Sequence, residues 1–296
     1  MSGAAELALC AVRSVEAWVH RNPRPSDAEL IGVARRILWG KGSLMAPTYH
    51  LMNFVLLAAD ASWPGNFLSK SCARFRAQLL GNPKKIADRF YLALGRRRKT
   101  EVITYSYSST VVKALIHARR RIKGVTCSEG RPGMEGRKTA AMLAKAGIRV
   151  TLVSDINLPL FFGPHEDPFG YLLVVGADQV NGGGIVNKVG TELLLERAHR
   201  FGAPAWILAD SAKFVPSRAL HLSGASCLPQ SLWPDAPRRI TVYGGILSPA
   251  RIFPSTRLLT ERGWMTPARV QRVIAKIKLS PRVKELVDCD LCKAID

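Results

Sequence analysis

The sequence predicts an α/β protein in which a block of helices precedes a doubly wound, mostly parallel sheet. Up to about residue 99 the apolar residues recur at helical spacing with no convincing β alternation, whereas from about residue 101 short apolar runs alternate with amphipathic ones. Near-continuous apolar strands separated by helices indicate a parallel sheet covered on both faces. The chain has 296 residues, 47% of them hydrophobic, enough to bury a large core. The expected division is a helical domain over residues 1–99 and a sheet domain over residues 100–296.

The helical block reads AAELALCAVRSVEAWVHR, then SDAELIGVARRILWGK, then a run around YHLMNFVLLAAD. Ser26 stands three residues before Glu29, the capping-box spacing in which side chains and backbone N–H groups satisfy each other. The sheet block begins with the strand EVITYS and the helix STVVKALIHARRR, followed by GVTCSEG and MEGRKTAAMLAKAG. IRVTLVSD, YLLVVGAD and PAWILAD supply further strands, with VGTELLLERAHRFG as the helix between the last two. A doubly wound sheet binds ligands at the carboxyl ends of its strands. Those ends carry Ser106, Glu129, Asp155, Asp178 and Asp210. Any one of these carboxylates could simply cap a helix, but their concentration beside a glycine-rich loop marks the edge as a candidate site.

That loop lies in VVGADQVNGGGIVNKVGT. It is not a P-loop, because counting from Gly182 places Asn187 where the second Gly belongs and Val189 where Ser or Thr would bind magnesium. A dinucleotide fingerprint fails at the same Asn187, so neither ATP hydrolysis nor NAD chemistry is supported, and no cofactor is expected. The residue types still suit an anion. Glycines 182–184 permit close approach of backbone, Asn187 offers a donor and an acceptor, Lys188 offers a charge, and Gly190-Thr191 opens a helix whose free N–H groups favour negative charge. The bland reading is an ordinary tight turn.

The net charge of +21 would ordinarily raise the question of nucleic acid. The basic residues are dispersed, however, with Arg96-Arg97-Arg98-Lys99 and Arg119-Arg120-Arg121 the densest stretches, and aromatic residues are not interleaved with them. Attraction of a phosphorylated small molecule accounts for the charge as well as RNA does, and nucleic acid is not the expected partner. No apolar run approaches the roughly 18 residues of a membrane span, and the N-terminus, with Glu6 inside its apolar part, does not read as a signal peptide. A cytoplasmic protein with reduced thiols is expected from the six scattered cysteines. Cys289 and Cys292 have metal-like spacing but no second pair nearby, so no metal site is expected.

GADQV…GGIVNKVGT, EGRPGMEGRKTAAMLAKAGIRVTLVSD, ITYSYSSTVVKAL and ADSAKF together resemble a known family. It unites the alpha, beta and delta regulatory subunits of translation initiation factor 2B with aldose-1-phosphate isomerases that act on methylthioribose 1-phosphate and ribose 1,5-bisphosphate. The resemblance covers about residues 100–270. It implies an N-terminal helical domain followed by a Rossmann-like one, a phosphorylated sugar or nucleotide as ligand, and a homodimer or higher homo-oligomer. In the isomerases a Cys and the Asp of GAD form the catalytic pair. The Asp is present as Asp178, but the Cys position is Ser106, an alcohol far less acidic than a thiol. Cys127, on the next strand, is an alternative thiol, although a buried structural Cys is the commoner case.

By the same resemblance, Ser108, Ser109, Arg131, Glu135, Asn187 and Lys188 are expected to line the phosphate and sugar site. Glu135 stands where the methylthioribose-phosphate isomerases carry Gln, and Gly130 where Ser usually precedes Arg-Pro, which argues against that substrate. Arg131 could instead be a structural ion pair, and Arg137 reads as a surface residue. The expected function is aldose-1-phosphate to ketose-phosphate isomerisation through Asp178 and Ser106. The alternative is a non-catalytic regulatory or binding subunit, favoured by loss of the Cys.

Overall fold

Ser26 starts its helix as the spacing demands. Glu29 Oε2 accepts from the Ser26 backbone N–H and hydroxyl, both at 2.8 Å, and the Glu29 N–H reaches back to Ser26 Oγ at 3.4 Å. The computed structural model describes residues 4–39, 45–60, 65–95, 99–162, 171–216, 231–283 and 286. The basic run at residues 96–98, and Cys227, Cys289 and Cys292, lie outside the described residues.

The helical block comprises α1 (Ala4–Arg21), α2 (Asp27–Trp39), α3 (Ala46–Asp60) and α4 (Gly65–Ala93). The first three match the apolar periodicities. Helix α4 is harder to read, because its 29 residues carry an internal Pro83 and a weak apolar stripe. It runs on into the sheet layer, where Ile86, Ala87 and Phe90 join the core beneath β-strand residues such as Val102 and Leu172. In the other direction, Val186, Val215 and Leu247 of the sheet block pack into the core of α1–α3. The two parts therefore share apolar contacts across the expected boundary.

The strands are β1 (Thr100–Thr104), β2 (Ile122–Ser128), β3 (Val150–Val153), β4 (Tyr171–Val175), β5 (Gln179–Asn181), β6 (Gly184–Lys188), β7 (Ala205–Leu208), β8 (Leu247–Ala250), β9 (Thr256–Thr260) and β10 (Gly263–Met265). Seven form one sheet in the order β10-β9-β7-β4-β1-β2-β3. Every neighbouring pair in it is parallel except β9 with β10. From β1 the chain winds outward through β2 and β3, then returns to β4 and winds the other way through β7 and β9. The crevice outside the carboxyl ends of β1 and β4 is therefore the topological switch point. Helices α5 (Ser109–His117), α6 (Glu135–Lys145) and α7 (Thr191–Arg200) make the crossovers, and α8 (Pro267–Ala275) follows β10.

Strands β5, β6 and β8 form a second, antiparallel sheet. This corrects the reading of the glycine loop. Gly182 and Gly183 sit at the tip of the β5–β6 hairpin, where Asn181 Oδ1 accepts from the Gly183 N–H at 2.9 Å. With Arg251, Phe253 and Met265 they line a cleft that excludes Asp178. The glycines serve the turn, as in the bland reading, because a hairpin needs its tightest backbone at the tip and the anion-suited residues are carried several positions away on β6.

Candidate functional site

Residues from five segments meet at the switch point: the end of β1, the start of α6, the end of β4, β6 and the turn after β7. At the end of β1, Thr104 Oγ1 donates to Val174 O at 2.7 Å and Tyr105 OH donates to Val189 O at 2.7 Å. The chain then turns at Ser106 with φ 64°, a left-handed conformation that disfavours residues with a side chain. Ser108 next caps α5 by accepting from the Val111 N–H at 3.4 Å. Gly176 makes room for this cap, since a Cβ there would stand 2.6 Å from Ser108 Oγ. Similarly, a Cβ on Gly136 would stand 1.7 Å from Ser128 O, so only glycine lets α6 start close enough to deliver Glu135.

Glu135 is the hub of the buried part of the site. Its Oε1 accepts from Ser106 Oγ at 3.0 Å and lies 2.7 Å from Lys188 Nζ, and both charged side chains are almost wholly buried. Beyond that ion pair, neither Lys188 Nζ nor Glu135 Oε2 has a hydrogen-bond partner among the described residues. Lys188 comes from β6, and its neighbour Asn187 donates through Nδ2 to Thr191 Oγ1 at 3.0 Å.

Asp178 follows β4 and is anchored by its N–H to Val186 O at 2.8 Å. Its carboxyl sits above the usual range, chiefly because burial penalises the charged form; Lys213 opposes the shift and the Glu135 carboxylate adds to it. A sliver of Asp178 still reaches the surface of a cavity. Lys213, from the turn after β7, is buried and donates to Ala177 O. It also faces Asp210, whose carboxyl burial likewise raises while accepting the Ala212 N–H at 2.9 Å.

The cavity collects Asp178, Ser108, Ser109 and Asn187 from the expected residues, adding Lys213 and Tyr107. Its volume is about 20 Å³. That is room for one water, far below the roughly 300–1,000 Å³ of small-molecule sites. Helix α1 closes it: Ala5 lines the cavity, and Glu6 Oε1 accepts from Tyr107 OH at 2.7 Å. Lys138 Nζ completes the latch, 3.6 Å from Glu6 Oε2 and 3.8 Å from the centre of the Tyr107 ring.

Other candidate residues are placed elsewhere. Arg131 has an exposed side chain 3.5 Å from Glu129 Oε1, the ion pair weighed against phosphate binding; its N–H and that of Gly130 donate to Asp155 at 2.7 and 2.9 Å. Asp155 thus ties down the loop that follows β2, and Asp210 caps the turn at its own strand end. Arg137 is an exposed residue paired with Glu129 at 3.3 Å. Cys127 is fully buried beside Thr104 on β2, and burial pushes its thiol up to about 11, so it offers almost no thiolate near neutrality. Lys213 was missed although ADSAKF carries it three residues past a strand-end Asp; Tyr107 and Glu6 had no sequence signal, since their meeting depends on the packing of α1.

Residues 63–223 match the model of the Initiation factor 2 subunit family. Translation initiation factor eIF2B subunit alpha of Dictyostelium discoideum is 28% identical over 257 residues, 79% of this chain and 77% of that protein. Ribose 1,5-bisphosphate isomerase of Archaeoglobus fulgidus is 26% identical over 220 residues, 72% of this chain and 68% of the enzyme. Among solved structures, translation initiation factor eIF-2B of Pyrococcus horikoshii superposes with a TM-score of 0.73 at 20% identity, covering 91% of this chain and 93% of that one, a likeness of fold.

Proposed function

The chain belongs to the Initiation factor 2 subunit family, and we propose that within it this protein binds a sugar 1-phosphate and isomerises it to a ketose phosphate. The observation that carries this reading is Asp178, a desolvated carboxyl at the switch point with its pKa raised, lining a cavity together with the buried Lys213. Aldose-to-ketose conversion moves a hydrogen between adjacent carbons and returns protons to oxygen. It needs a group that both takes and gives a proton, and a carboxyl held above its ordinary pKa is a better proton acceptor than an unshifted one. Lys213, Asn187, Ser108 and Ser109 then hold the sugar and its phosphate. Ser106 orients Glu135 through its hydrogen bond and takes no part as a nucleophile, because an alkoxide is inaccessible near neutral pH. Ligand entry requires the start of α1 to move, since the cavity beneath it holds about one water.

A second reading, a non-catalytic binding subunit, is favoured by Ser106 standing at the Cys position of the isomerases. The two are separated by incubating the protein with a panel of sugar 1-phosphates and following ketose products by NMR, for the wild type and for Ser106→Cys. Product from the wild type, raised in Ser106→Cys, supports the isomerase. Binding by calorimetry without product from either protein moves the assignment to the binding subunit. A cytoplasmic homo-oligomer accompanies both readings, and light scattering of the purified chain tests the assembly.

A further inference from the structure

A second and much larger cleft, about 730 Å³, opens where α3, α4 and α8 meet the turn after β7. Its rim is cationic. Arg269, Arg272 and Lys276 are spaced three and four apart, which puts them on one face of α8 and its C-terminal cap, and Arg262 and Lys278 add to them. Arg269, Arg272, Lys276 and Lys278 are all exposed, and none of the described lining residues is acidic. Among the described residues, Arg262 alone of these cations has a carboxylate partner, Glu261 at 3.3 Å.

The floor differs from the rim. Phe54, Leu57, Phe75, Val273 and Ile277 make it apolar. Most of its polar groups are already engaged: His50 Nε2 with Phe214 O at 2.7 Å, Asn53 with Lys278 O and the Ser280 N–H at 2.9 and 2.8 Å, and the Ser211 N–H with Glu261 at 3.0 Å, while Gln78 is exposed at the edge. The floor thus presents mainly carbon, and the α8 side of the rim, unlike Arg262, presents charge with no carboxylate partner among the described residues. Concentrating like charges along one helix face is unfavourable unless an anion offsets it.

We propose that this cleft is a binding site for a nucleoside polyphosphate, with the base and ribose over the phenylalanine-bearing floor and the phosphates on the α8 cations. The volume lies in the range of small-molecule sites, and an apolar floor beside several cations matches a ligand with a flat ring at one end and several negative charges at the other. The inference does not rest on the isomerase reading, because the two sites share no lining residue.

The test is calorimetry of the full chain with adenosine triphosphate, tripolyphosphate and a single-stranded RNA oligonucleotide at physiological salt. Adenosine triphosphate is expected to bind more tightly than tripolyphosphate, and Arg272→Ala/Lys276→Ala to weaken it at least about tenfold. Both side chains are exposed, so circular dichroism is expected to report an unchanged fold. Arg119→Ala/Arg120→Ala, exposed charges preceding β2 at the opposite edge of the sheet, are expected to leave the affinity unchanged. Any of four results overturns the proposal: no binding of adenosine triphosphate, equal affinity for tripolyphosphate, equal weakening by both double variants, or displacement of adenosine triphosphate by RNA at lower concentration.

Discussion

Two buried lysines flank the switch point, and they are neutralised in different ways. Lys188 has a dedicated carboxylate, Glu135, at 2.7 Å. Lys213 donates to a backbone carbonyl and lies within electrostatic reach of two carboxyls, Asp178 and Asp210. A dedicated pair fixes both charges, at the cost of desolvating two ions. A shared lysine lowers each neighbouring carboxyl too little to offset burial, and so both Asp178 and Asp210 remain above their ordinary value of 3.8. Of these carboxyls only Asp178 lines the cavity, Asp210 being spent as a cap and Glu135 paired with Lys188, which is why Asp178 is the acid-base group in the proposed reaction.

The sharpest way to break this comparison is to remove the dedicated partner. Lys188→Met leaves Glu135 buried and unpaired, and is expected to cost about 3–5 kcal/mol of folding stability. The double variant Lys188→Met/Glu135→Gln is expected to recover most of that loss, as a buried pair is often replaceable as a unit. Urea denaturation of the three proteins measures both. Additive losses would show that the pair is not a closed unit.

Asp178→Asn tests the other side. It keeps the shape and removes the proton acceptor, so turnover of a sugar 1-phosphate substrate is expected to fall about 10²–10⁴-fold with binding largely retained. The raised pKa has a second consequence. A carboxyl that titrates higher when folded contributes stability fully below its ordinary value of 3.8, and loses it as the pH rises through the raised value. Removing it is expected to flatten the decline in stability as the pH rises above about 4. Denaturation midpoints across that range measure the slope, and a slope equal to that of the wild type would place Asp178 in a more polar environment than described.

Lys213→Met is expected to do less to stability than Lys188→Met, about 1–3 kcal/mol, mainly by leaving the Ala177 carbonyl without its donor. It is also expected to move the ionisation of Asp178 to still higher pH, since Lys213 is the group that holds it down. A pH profile of turnover that shifts to lower pH in this variant would contradict the shared-lysine arrangement.

What was legible in the sequence follows the same division. The apolar runs and their polar ends placed β1–β4 and β7, and hence Ser106 and Asp178 at the strand termini, because a parallel strand's burial is written in its own residues. The Ser26 capping box was equally local. The β5–β6–β8 sheet was not legible, since a run of three glycines at a hairpin's turn and first strand residue reads the same as one in an anion cradle. Nor was the pairing of Glu135 with Lys188, two residues 53 positions apart whose meeting requires the completed crossover through α6. Lys213 lay in a motif that was visible, yet only burial distinguishes it from an ordinary surface lysine.

The smallest effect concerns the latch between α1 and the site. Tyr107 OH donates to Glu6 Oε1, and Lys138 contacts both residues. These side chains are part-exposed, so the ion pair with Lys138 contributes little, and Glu6→Ala is expected to lower folding stability by no more than about 1 kcal/mol. The kinetic consequence is larger than the thermodynamic one. If the start of α1 must lift before a ligand reaches Asp178, weakening its attachment raises the fraction of open molecules and with it the observed association rate. Stopped-flow binding of a sugar 1-phosphate that the wild type binds is expected to be several-fold faster in Glu6→Ala, with calorimetry showing a modest gain in affinity because less closing energy opposes entry. An unchanged rate would mean that ligands reach Asp178 by another route, and that the Glu6–Tyr107 contact merely docks α1 on the sheet.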